Sequence, residues 1–213
     1  MSMDIHPPTK PVHSVREFLV HLLMITFGVL IALGVDGIVE RTHHRRMAKE
    51  AKESLVQEAA ANHKELAVGI KNMEETQAQL QSILQTVRAL EADRTAKPGS
   101  LTLSVSISSQ SSTAWSTAAT TGALGHMERD DVARFTDAYL LQQQFMSAQQ
   151  RAIEALLELE SYGELIHGPL TRISDAQAVE AERTAGRALA ATHMAEDLAK
   201  ALQAEYEKLA AGK

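Results

Sequence analysis

The feature that most constrains this chain is the run from Phe18 to Val39, "FLVHLLMITFGVLIALGVDGIV", twenty-two residues in which only His21, Thr26 and Asp36 are polar. About 20 such residues in a helix cross the roughly 30 Å of hydrocarbon in a bilayer. The run therefore predicts a transmembrane helix. A cleaved signal peptide has an apolar core of only about 7 to 15 residues and a small-residue cleavage site, and the following "VDGIVERTHHRR" offers no convincing one. A buried core helix would need a large apolar partner, which the remaining heptad-like, polar chain does not supply.

His21 and Asp36 each lie about 10 to 12 Å from the middle of the run, near opposite headgroup boundaries, where both reach interfacial water. Gly28 and Ala32 form a small-xxx-small pair, with Gly34 and Gly37 beyond, and small residues let membrane helices approach closely. In such a pair Asp36 would meet its symmetry mate or an Arg41. The C-terminal flank carries Arg41, Arg45, Arg46, Lys49 and Lys52 beside His43 and His44, against Lys10 and Arg16 before the run. That asymmetry places the C-terminal domain in the cytoplasm, with the periplasm as the alternative. The cluster would suit an anionic leaflet, although a solvated stop-transfer flank is the simpler explanation and the one preferred.

Elsewhere aromatics make up only 4% of the chain, proline is scarce, and Ala, Leu, Glu and Gln dominate, a helical composition. With no cysteine, disulfides, thiol catalysis and cysteine-ligated zinc are excluded. The expectation is an all-α protein: a transmembrane helix continuous with a long rod helix, then a bundle or hairpin of two further long helices and one short helix. The boundaries read as a tail over 1–17, a membrane helix over 18–39, a basic flank and coiled-coil-like helix over 40–94, an extended linker over 95–113 and a bundle region over 114–213.

In the rod, Leu66, Ile70, Met73, Gln77, Leu80, Leu84 and Val87 step by four and three, with Val56, Ala59 and His63 continuing the seam. "ADRTAKPGS" breaks it through Lys97, Pro98 and Gly99. "LTLSVSI" alternates like a strand, but one strand makes no sheet, so it reads as an extended connection laid along the bundle. A short helix around Trp115 follows. The next is capped at Asp130 and seamed by Val132, Phe135, Tyr139, Met146, Ile153 and Leu156, and ends or kinks at Gly168 and Pro169. Ser174 and Asp175 start the last, seamed by Ala181, Ala185, Ala188, Ala195, Leu202, Tyr206 and Leu209. The rod seam is longer than the helix after Trp115 can cover, which predicts a parallel homodimer or another protein partner, unless the last helix folds back over it.

"FGVLIALGVDGIVERTHHRR", "AKESLVQEAAANHKEL" and "AWSTAATTGALGHMERDDVARFTDAYLLQQQF" together resemble a family of uncharacterised bacterial single-pass membrane proteins. Its marks are the membrane helix, a His/Arg flank, a long helix with an "L..E...N" pattern, and a Trp then Thr-Gly-Ala-Leu motif before a Tyr- and Gln-rich helix. Trp115, Thr121, Gly122, Ala123, Leu124, Met127 and Tyr139 match by residue type. The resemblance covers roughly 15 to 150 and implies architecture and bacterial origin.

No phosphate loop, dinucleotide fingerprint, zinc-protease or nucleophile-elbow motif is present. The histidines are scattered, and the Glu-x-x-His spacings at Glu40–His43 and Glu164–His167 do not form the paired constellation of a di-iron bundle. Outside the basic flank the chain is more acidic than its overall −6, the wrong sign for nucleic acid. Neither an enzyme nor a cofactor, metal or small-molecule substrate is expected. The sequence points to a membrane-anchored helical interaction or scaffold protein of a bacterial inner membrane; the alternative is a ligand-sensing bundle on a single anchor.

Overall fold

A computed structural model describes residues 15–93, 101–162 and 174–211. Its elements are α1 (Val15–Ala92), α2 (Thr113–Thr120), a 3-10 turn (Ala123–His126), α3 (Arg129–Glu160) and α4 (Asp175–Ala210). No strand occurs among the described residues, and the all-α expectation holds. Lys97 to Gly99, the Glu164–His167 pair and Gly168-Pro169 lie outside the described residues. The chain divides into two compact units, Met1–Met47 and Ala48–Lys213, and α1 contributes to both.

In the first unit the apolar side chains from Phe18 to Val39 are exposed along the helix. This helix is long and apolar enough to cross a membrane. Thr26 turns its hydroxyl back to the Leu22 carbonyl at 2.8 Å, so this polar group needs no water.

The second unit is a three-helix bundle with one extended strap. Lys52 meets Asp131 and Asn62 meets Gln142, so α3 runs parallel to α1. Arg88 meets Glu182 and His63 meets Glu207, so α4 runs antiparallel. Two neighbouring helices that point the same way need a return path between them. Residues 101–112 supply it in extended form, from Ser104 against Thr76 to Ser111 against Asn62. Seven extended residues advance about 23 Å, close to the about 21 Å that α1 rises from Asn62 to Thr76. The extended connection laid along the bundle is therefore as expected.

On α1 the buried line runs Leu55, Ala59, Asn62, Leu66, Ile70, Gln77, Leu80, Leu84 and Val87, with Ile83 beside it. The expected seam is buried from Leu66 onward except at Met73, which is half-buried. Toward its N-terminal end the phase is Leu55 and Asn62, while Val56 and His63 are only half-buried flanks. On α3, Phe135, Tyr139 and Leu156 are buried as expected, but Met146 is 43% exposed, and Gln142, Phe145, Ala148, Gln149 and Ala152 fill the interior. The helix starts at Arg129 after Glu128, which corrects the cap expected at Asp130; Asp130 and Asp131 occupy its first turn. All seven expected seam residues of α4 are buried, and Ser174 caps it in a reciprocal capping box with Gln177. Small alanines at Ala178, Ala181, Ala185 and Ala188 let α4 approach Leu80, Ile83, Leu84 and Val87 of α1 and Leu156 and Leu159 of α3. Each leucine fully buried in this core contributes about 1.5 to 3 kcal/mol.

The rod seam that was expected to need a second chain is filled within this one. Leu66 and Leu80 are 0% exposed, and α4 reaches back as far as Asn62 through Tyr206. The fold-back arrangement is the one adopted.

Candidate functional site

Glu58 and Asn62 stand one helical turn apart on α1, in the phase set by Leu55, and the "L..E...N" spacing places all three toward the interior. Asn62 is buried. Its amide grips the strap at both main-chain atoms of Ser111, donating to the carbonyl at 2.8 Å and accepting from the N–H at 2.9 Å. Gln142 of α3 donates to the same carbonyl at 3.0 Å, and Tyr206 of α4 donates to the Gln142 oxygen at 2.7 Å. One polar knot thus joins all three helices and the strap.

Glu58 organises the adjoining end. It accepts from the Ser111 hydroxyl at 2.6 Å, the Tyr139 phenol at 2.6 Å and the Ala114 N–H at 2.9 Å. Burial pushes this carboxyl up, but the donors from Ser111, Tyr139, Ala114 and the Trp115 backbone outweigh it and hold the group below the ordinary glutamate range. Burial and then the neighbouring Glu58 push the Tyr139 phenol well above its usual value. Burial also raises Tyr206, against the hydrogen bond from Asn62. The carboxylate therefore stays an acceptor and the phenols stay donors, a set suited to clamping rather than proton transfer.

A second clamp lies further along. Gln149 accepts from the Ser108 N–H at 2.9 Å and donates to its carbonyl at 3.1 Å, while Ser108 presses on Gly69. A Cβ at Gly69 would stand 2.6 Å from the Ser108 Cβ, so only glycine allows the strap this close to α1. A third polar group joins Gln77 of α1 to Glu196 of α4, which Lys200 also contacts while pairing with Glu74. In place of a neighbouring strand, side chains of α1 and α3 pair with the strap's main chain at Ser104, Ser108 and Ser111.

The residues singled out in the sequence fall into three places. The Trp115 ring stacks on Tyr139 of α3, with centroids 5.1 Å apart and planes 26° from parallel, and it is half-buried. Thr121 and Gly122 close α2. The Thr121 N–H and hydroxyl both reach the Thr117 carbonyl, and Gly122 takes φ 77°, which glycine adopts without strain. The Thr-Gly-Ala-Leu stretch is thus the turn that reverses the chain into α3, with Ala123 buried beneath it. Gly28, Ala32 and Asp36 are exposed on the first unit, and Gly28 has open space where a Cβ would stand. Arg41, Arg45, Arg46 and Lys49 are exposed; Lys49 lies 3.8 Å from Glu53.

Glu58, Asn62, Gln142, Gln149 and Tyr206 were not singled out as site residues. The available signal was a polar residue in the phase of a buried seam. Among the described residues, no group of three His, Asp or Glu side chains is placed to hold a metal ion. Beside Trp115 and Tyr139 lies an open groove of about 650 Å³, continued along α3 by Leu140, Gln143, Met146 and Gln150, and no charged residue lines it. The chain matches no protein-family model, no curated protein and no solved structure.

Proposed function

We propose that this chain is a membrane-anchored helical interaction or scaffold protein of a bacterial inner membrane, as its resemblance to the bacterial single-pass family implies. The observation that carries the reading is the contrast between its two units. The helix from Phe18 to Val39 exposes apolar side chains on every face, whereas the second unit closes its own core. Contiguous exposed apolar surface of this extent marks a lipid or protein contact. The basic flank after Val39 supports a cytoplasmic C-terminal domain. In the bundle, the buried polar side chains hold one another and the strap, which favours a rigid platform over a reacting centre.

A reporter fused after Lys213 tests the sidedness: activity restricted to a cytoplasmic reporter is expected, and activity of a periplasmic one reverses the orientation. Co-purification in mild detergent tests the interaction role, which predicts a stoichiometric assembly and is overturned by a lone chain at every detergent and concentration tried. The groove beside Trp115 favours a second reading, a ligand-sensing bundle. Its volume is within the range of small-molecule sites, and a neutral ligand that raises the bundle's unfolding midpoint would support it.

A further inference from the structure

The α1 seam is filled from inside the chain, so any self-association must use another surface. On α3, Thr136, Leu140, Gln143, Ser147 and Gln150 follow one another at steps of four, three, four and three, the spacing of a coiled-coil seam. This stripe lies along the groove wall and points away from the core. Leu140 is 54% exposed and Met146, beside it, 43%. The stripe carries no charge between Arg129 and Glu154, although 23% of the chain is charged. At its centre the Gln143 side-chain amide has no hydrogen-bond partner among the described residues.

We infer that this stripe is the contact between two copies of the chain, with α3 packed in parallel against α3 about a two-fold axis running along the helices. Three features favour a second copy as the occupant. A two-fold contact sets each residue near its own mate, so a charged stripe would repel itself and this one does not. An amide carries both donor and acceptor, which makes Gln143 complementary to itself, whereas Gln150 already donates to Glu154 at 3.0 Å and closes the uncharged stretch. Leu140, three residues before Gln143, supplies the apolar knob. The inference rests on the proposed membrane anchor in one respect: confinement to a bilayer raises the effective concentration and lets a modest seam suffice.

The chain has no cysteine, so single substitutions report contacts without background. In membranes holding the full chain, Gln143→Cys and Gln150→Cys should each oxidise to a disulfide-linked dimer of twice 23.2 kDa, while Asp137→Cys, on another exposed face, should not. Adding Leu140→Arg to Gln143→Cys should abolish the crosslink, and Leu140→Met should keep it. Absence of both crosslinks, crosslinking at only one of the two glutamines, or equal crosslinking at Asp137 overturns the parallel pairing. Carbonate extraction of the same membranes separates the two ideas. A retained chain without crosslinks removes the pairing and leaves the anchor, whereas a released chain with crosslinks removes the anchor and leaves the pairing.

Discussion

Replacing Gln149 with Met tests whether side-chain amides hold the strap. The two side chains are similar in length and in helix propensity, so the change removes the polar end with little loss of packing. Gln149 is the partner of both main-chain atoms of Ser108, at 2.9 and 3.1 Å, and Ser108 is 3% exposed. Two buried main-chain groups left without partners cost about 1 to 3 kcal/mol each. The added apolar contact of Met returns about 1 kcal/mol at most. The net loss should therefore be about 1 to 5 kcal/mol. Urea unfolding of the detergent-solubilised chain reads it through Trp115, the only tryptophan, whose ring lies on Tyr139. A change below about 0.5 kcal/mol, the scale of an ordinary surface substitution, would refute the clamp.

Three further outcomes follow from the same contacts. Gly69→Ala should destabilise the bundle by about 1 to 3 kcal/mol, the usual cost of overpacking, because its Cβ would meet Ser108 at 2.6 Å; combined with Gln149→Met the loss should be less than additive in the same urea assay, since both act on one strap residue. Glu58 is held below the ordinary glutamate range, so its contribution is full above that range and is lost as pH falls through the lowered value; Glu58→Gln should flatten this acid limb, measured as unfolding midpoints from pH 6 downward, and an unchanged limb would remove Glu58 as its source. Trp115→Ala should cost about 1.5 to 3 kcal/mol, below the range for a fully buried tryptophan, and its emission should lie between those of buried and free indole; emission at the free-indole position would place the ring wholly in water.

How much of this was legible in the sequence differs from helix to helix. In α4 the seven positions read from periodicity are all buried, while Ala178, Thr184, Thr192, Glu196 and Ala199 complete the interior face and were not read from it. In α1 the apolar steps identify the seam beyond Leu66, but Asn62 occupies a core position as a polar residue, so the phase shifted to its neighbours Val56 and His63. The interior of α3 was the hardest to read, because Gln142, Gln149, Ala148 and Ala152 fill positions that a hydrophobic pattern assigns to Met146 or Ile153. Those glutamines are inside because an extended strap lies against them, and hydrophobic periodicity carries no trace of a main chain arriving from elsewhere. The strap itself was readable as extended chain, since its alternation had no second strand to pair with. The partners of its amides lie up to 49 residues away on α1 and 41 on α3, distances no local pattern spans. Trp115 stands out as the only tryptophan, but its neighbour Tyr139 depends on the turn at Gly122 that leads from α2 into α3.

Anchoring rests on the apolar helix from Phe18 to Val39. Sodium carbonate extraction of membranes from cells producing the full chain, run beside a chain that begins at Arg46, measures it directly. The full chain should stay in the pellet, and the shortened chain should appear in the supernatant, helical and with its Trp115 emission unchanged. Recovery of the intact full chain in the supernatant, or a mature protein beginning near Glu40, would contradict the membrane anchor.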